Sequence, residues 1–113
     1  MNAPPNPWIA ICPGIKRRTV AHGMKMYQML AQLEAGSRMP AHQHPEEQIV
    51  HVLSGRMRLV VDGTPHELTA GQTYYLAGNV PHGVETIEEM MVLDTFSPPR
   101  EDLLAQNRHA KGE

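Results

Sequence analysis

A single cysteine, Cys12, is all the thiol chemistry this chain has. It excludes an intramolecular disulfide and fits a reducing compartment, where a lone small thiol is usually buried or idle. Excess charge is lacking too: the net charge of −2 and the 41% hydrophobic fraction suit neither a nucleic-acid binder nor a disordered tail. The densest basic cluster, Lys16-Arg17-Arg18, is too short for a nucleic-acid surface and reads as a solvated strand edge with no function. No apolar run is long enough to cross a bilayer, and the opening MNAPPNPW lacks the charged and then apolar pattern of a leader. The expectation is a cytoplasmic protein with no membrane or nucleic-acid partner. What 113 residues do permit is one domain with one core, burying about 65% of its unfolded surface.

Three prolines in residues 1–7 predict a flexible arm, and Trp8, Ile9 and Ile11 could then form a docking strand. From Met24 onward the chain shows two-residue alternation and β-branched runs broken by glycine and proline. Strands are predicted over 24–33, 48–54, 56–62, 64–68, 73–77, 82–86 and 90–96. Between them Gly36, Gly55, Asp62-Gly63, Gly71 and Gly78-Asn79 can supply tight turns, Asp62-Gly63 being the clearest type I′ candidate. Short strands at this spacing predict an all-β sandwich or barrel over residues 8–98. Helical signal is confined to the tail, 99–113, where Ser97 could cap about two turns of PREDLLAQN.

Alternation assigns faces. If Gln48 points inward, so do Val50 and Val52, while Ile49, His51 and Leu53 point outward. Met90, Val92, Asp94 and Phe96 likewise share a face, which leaves Asp94 as an acid in an apolar row. A carboxyl so placed must find a partner or keep its proton.

The stretch HQHPEEQ, residues 42–48, sets two histidines on alternate positions of one strand. Transition metals need three or four N or O donors converging within about 2.0–2.2 Å, and an H-x-H pair supplies two of them. By itself the pair is a weak signal. Its surroundings add to it: Gly36, five residues, His42, one residue, His44, three residues, Gln48, six residues, Gly55. Further on come Gly71, five residues, Ala77-Gly78-Asn79, two residues and His82.

Those two runs resemble the paired motifs of the cupin superfamily, with Gln48 where a glutamate is usual. The second run departs from the pattern at Ala77, Asn79 and Thr86, of which Asn79 is mild because Asn tolerates left-handed backbone. The resemblance, spanning residues 36–86, implies a single-domain jelly-roll β-barrel with a short C-terminal helix. It also implies one divalent metal ion (Ni, Zn, Mn or Fe) held by His42, His44, Gln48 and His82. That donor set is neutral, so the ion would keep its full charge as a Lewis acid.

Other histidines, His22, His51, His66 and His109, read as surface residues. Glu46 and Glu47 could accept hydrogen bonds behind the ligands or form a solvated turn. The eight methionines suit core or interface better than this metal site.

HPEEQ, VPHGV and LDTFSPPREDLL together are similar to the small pectin-degradation cupins, which linearise 4,5-unsaturated uronates to open-chain ketones. That resemblance implies substrate contacts from Asp94, Phe96 and Arg100, with Asp94 moving a proton, Arg100 holding a carboxylate and Phe96 walling the ring. Asp94 and Arg100 could instead be an ion pair closing the barrel, and Phe96, the only phenylalanine, plain core. Two other functions use the same site: an Fe(II) dioxygenase, or a non-catalytic metal- or sugar-binding sensor. A homodimer is expected, because outward Ile49 and Leu53 and the proline-rich arm need cover.

Overall fold

A computed structural model describes residues 6–112, so the arm prediction falls mostly outside the described residues. Eight antiparallel strands and one helix follow one another: β1 (Ile9–Cys12), β2 (Ile15–His22), β3 (Tyr27–Leu33), β4 (Arg38–His42), β5 (Glu47–Val61), β6 (Thr64–Thr69), β7 (Thr73–Leu76), β8 (His82–Ser97) and α1 (Glu101–Ala110). The all-β expectation holds.

Two long strands organise the rest. The first half of β5 pairs with β7 and with the second half of β8, which continues through β3 and β2 to β1. Beyond the bend the second half of β5 pairs with β6 and with the first half of β8, whose other edge carries β4. The bend itself falls at Gly55, where φ is +86° and an added Cβ would strike the Glu89 carbonyl. Only glycine fits there. Register shifts on both sides of Ser54 take up the curvature.

This corrects two sequence readings. Gly55 does not make a hairpin turn, and 48–54 with 56–62 form one strand, as do 82–86 with 90–96. Asp62 and Gly63 both have positive φ, as a type I′ turn needs. Two strands escaped prediction. β2 hides its inward row Ile15-Arg17-Thr19 behind the basic run, and β4 contains Pro40, which an edge strand pairing only with β8 accommodates. The helix also differs: Arg100 occupies its N-cap without a side-chain cap bond, and Ser97 is the last residue of β8, its hydroxyl donating to the Lys25 carbonyl.

Inward faces fill the space between the layers. Val50, Val52, Met57, Leu59, Leu76, Met90 and Val92 form the main core, at 3% exposure or less. Tyr27, Met29, Phe96 and Leu103 form a second cluster beneath α1, where burying Leu103 contributes about 2 kcal/mol. The parity reading of β5 holds: Gln48, Val50 and Val52 are buried, while Ile49 and Leu53 are 45% and 46% exposed.

Candidate metal centre and substrate pocket

His42 ends β4 and His82 begins β8, and the two are register partners across that strand pair. His44 follows in the loop before β5, so three imidazoles converge from two strands and one loop. Their ring centroids lie 4.4 Å (His42–His82), 5.0 Å (His44–His82) and 5.8 Å (His42–His44) apart, and one nitrogen of each lies within 4.8 Å of the others. Three such nitrogens could hold a metal ion.

The loop is held by the second motif. Asn79, in left-handed backbone at φ +63°, donates its N–H to the His44 carbonyl at 2.7 Å, and Gly78 packs against the Pro45 carbonyl where a Cβ would clash. The spacing of the two motifs thus reflects two loops clamped together.

Hydrogen bonds to carbonyls orient all three rings. Nδ1 of His42 bonds Pro40 O at 3.1 Å, that of His44 bonds Glu46 O at 2.9 Å, and that of His82 bonds Val80 O at 2.9 Å. A carbonyl only accepts, so each Nδ1 carries a proton and Nε2 is the ring nitrogen left to ligate. Gln48 completes the picture. Its Nε2 donates to Asp94 Oδ1 at 2.9 Å, which turns its Oε1 to 3.2 Å from His44 Nε2. Two lone pairs then face each other in a buried place. A cation between them resolves the conflict, and the donor set fits a divalent ion.

Electrostatics favour the ion over a proton. Burial pushes the His82 imidazole down to about 4, with His42, His44 and Arg100 adding repulsion. His44 is pushed down by burial and by Arg100. Both rings stay neutral and ready to ligate near neutral pH.

His42 and His82 open on a cavity of about 310 Å³ inside the barrel. His42, Gln48, His82, Asp94, Phe96 and Arg100 all line it. Asp94 is 7% exposed, and burial pushes its carboxyl up to about 6 against the opposing Gln48 amide and Arg100 charge. Phe96 belongs to the core beneath α1 and also faces the site, its ring 5.5 Å from His44 and 4.9 Å below the Arg100 guanidinium. Arg100 is gripped by Asp102, Nε to Oδ1 at 3.1 Å and Nη2 to Oδ2 at 3.0 Å. Glu46 stands 3.7 Å from Arg100 Nε and 3.5 Å from His44 Nδ1, so it bridges the two parts of the site, while Glu47 is exposed. Among the described residues Arg100 pairs with these two acids and not with Asp94. The structure therefore brings Asp94, Arg100 and Phe96 to one cavity without the ion pair that was the alternative.

The cupin domain family matches residues 29–96, a span that holds the three histidines, Gln48, Asp94 and Phe96. The chain belongs to the cupin family. It is 34% identical over 100 residues to the pectin degradation protein KdgF of Dickeya dadantii, covering 87% of this cupin and 91% of that protein. KdgF from a Halomonas species has a solved structure that superposes with a TM-score of 0.81 at 29% identity, covering 86% of this chain and 90% of that one. A third relative, the H2HPP isomerase of Bacillus subtilis, is 35% identical over 69 residues, 58% of this chain and 29% of that protein.

Of the surface histidines, His22 and His109 are exposed, whereas His51 and His66 bond Thr73 and Tyr74. The contributors that sequence reasoning missed are Asp102, which grips Arg100, and Arg17. Far from a solvated edge, Arg17 is 0% exposed. The signal was available in the Ile15-Arg17-Thr19 alternation, whose inward parity the flanking Lys16 and Arg18 obscured.

Proposed function

We propose that this cupin is a metal-dependent isomerase that linearises 4,5-unsaturated uronates to open-chain ketones, with His42, His44, Gln48 and His82 holding one divalent transition metal ion. The observation that carries the reading is the sharing of one cavity by a neutral donor set, a buried carboxyl poised near neutrality and an arginine. Likeness to KdgF over most of the chain supports the substrate class.

A bound ion supplies a Lewis acid for the oxygens beside the substrate carboxylate. The protein's own groups do the rest. Arg100 receives the carboxylate on the Nη1/Nη2 edge that Asp102 leaves free, because Asp102 occupies the Nε/Nη2 edge. Phe96 stacks under that guanidinium and gives the cavity an apolar wall. Asp94 takes the proton of the ring hemiacetal hydroxyl as the ring C–O bond breaks. It then returns a proton to the far carbon of the enol double bond. Atoms balance without an oxidant or reductant, and a carboxyl near 6 can both take and give a proton at neutral pH. The dioxygenase reading needs no such titrating group, and the isomerase reading uses it.

The test is to mix metal-loaded protein with freshly generated 4,5-unsaturated galacturonate and follow loss of the cyclic form by NMR. Wild type should accelerate ring opening, and Asp94→Asn should lower kcat about 10²-fold at unchanged metal content. Equal rates would remove Asp94 from the mechanism. No acceleration by metal-loaded wild type would remove the uronate.

A further inference from the structure

We infer that Arg17 is a positioning residue for Arg100, acting through helix α1 to aim the carboxylate-binding fork into the cavity; this rests on the uronate reading above. Arg17 lies on β2, against Tyr27 and Leu103 of the second core cluster, and is wholly buried. Its donors reach five acceptors: Asn107 Oδ1 at 2.8 Å, Gln106 Oε1 at 2.8 Å, Leu103 O at 3.1 Å, Thr19 Oγ1 at 3.3 Å and Tyr27 OH at 3.4 Å. All five are neutral. Among the described residues no carboxylate pairs with it.

Three of those acceptors belong to α1. That helix needs a tether, for ten residues are marginal as an isolated helix, its N-cap makes no side-chain capping bond, and its buried residues are Leu103 and Asn107. Asn107 adds one tie of its own, Nδ2 to Thr19 Oγ1 at 2.6 Å. The tether runs straight to the site. Leu103, whose carbonyl Arg17 holds, bonds back through its N–H to the Arg100 carbonyl at 3.1 Å, and Leu104 does so at 3.0 Å. A shift at Leu103 is therefore passed to Arg100 within one helical turn. Arg100, Asp102, Leu103 and Gln106 all line the cavity.

A buried charge without a counter-charge is a costly way to hold a helix. What a planar guanidinium adds is geometry, since its fixed donors accept only one rotation and one axial register of α1. Arg17 thus both tethers the helix and sets where the Arg100 fork points.

The experiment compares metal-loaded wild type, Arg17→Met, Arg17→Lys, Arg100→Ala and the Arg17→Met/Arg100→Ala double variant on the unsaturated uronate. Arg17→Met should raise KM about tenfold with kcat within about twofold, and Arg17→Lys should recover part of the loss. In the Arg100→Ala background, Arg17→Met should add nothing, because its effect passes through Arg100. Independent, multiplicative losses, or an unchanged KM in Arg17→Met, would overturn the inference. Gln106→Ala, at an exposed position, gives the same readout if Arg17→Met does not fold: a smaller KM rise that also vanishes in the Arg100→Ala background. Hydrogen exchange separates this inference from the substrate reading. In Arg17→Met, α1 amides should lose protection while β5 and β8 keep theirs, whether or not wild type opens the uronate. Unchanged protection of α1 would sink the clasp, and a lost clasp beside an inactive wild type would sink only the substrate.

Discussion

Asp94 and His82 place opposite demands on the folded chain. Asp94 has its carboxyl raised from 3.8 to about 6, so between those values the folded state binds more protons than the unfolded one, and stability falls as pH rises across that window. His82 is lowered from 6.5 to about 4, so there the unfolded state binds more protons, and stability falls as pH drops through that range. In the metal-free protein the two slopes offset each other over much of the mildly acidic range. Asp94→Asn removes one of them. Thermal or urea unfolding of the metal-free variant should show a gain of roughly 1–3 kcal/mol at about pH 8, fading below about pH 4. Acid loss should also become steeper, because His82 then acts unopposed. A variant no more stable than wild type at alkaline pH would mean the Asp94 charge is well solvated. At this scale the proposed site was legible in part: spacing that resembles the cupin motifs singled out the histidines and Gln48, and parity singled out Asp94, all of which line or adjoin one cavity. Arg17 was not, because a lysine and an arginine beside it carry the signature of an exposed edge, and only tertiary contact distinguishes the inward residue.

Among the elements, loops decide whether the ligands meet. Gly78→Ala would drive a methyl group into the Pro45 carbonyl and part the loop before β8 from the loop carrying His44. Metal affinity should fall tenfold or more, since ligand placement tolerates only a few tenths of an ångström, while hydrogen-exchange protection of β5 and β8 stays intact. Full metal retention in that variant would show that the loops are not coupled. The strands themselves were read well where two-residue alternation was strong, as in β3, or where turn residues bracket them, as in β6 and β7. They were misread where a glycine acts as a bend instead of a turn, because Gly55 and a hairpin glycine look alike until the partner strand is known. β4 was missed since its proline and exposed side chains leave no periodic signal, although its pairing with β8 is what presents His42.

The outer surface of the barrel bears on the molecule as a whole. Ile49 and Tyr75 are register partners, 45% and 57% exposed, and Leu53 lies on the same outward row of β5 at 46%. Leu93 stands opposite His51 on that face, with Leu30 beyond it. Apolar groups gathered on one sheet face match a self-complementary contact, so the expected occupant is a second copy of this chain. Sedimentation at micromolar concentration should give a dimer, and Ile49→Asp with Leu53→Asp should give a monomer that still binds metal. A monomeric wild type would sink the dimer. The placement of β8 has a further consequence, one that concerns how the protein is made. This strand joins β3 to β5, carries β4 on its edge, and brings His82, Asp94 and Phe96 to the cavity. A nascent chain on the ribosome therefore holds the β1–β2–β3 group and the β5–β6–β7 group with nothing to join one to the other until residues 82–97 have emerged. Assembly of the barrel is then expected to be a late and single step, and the site is born in the same event as the core.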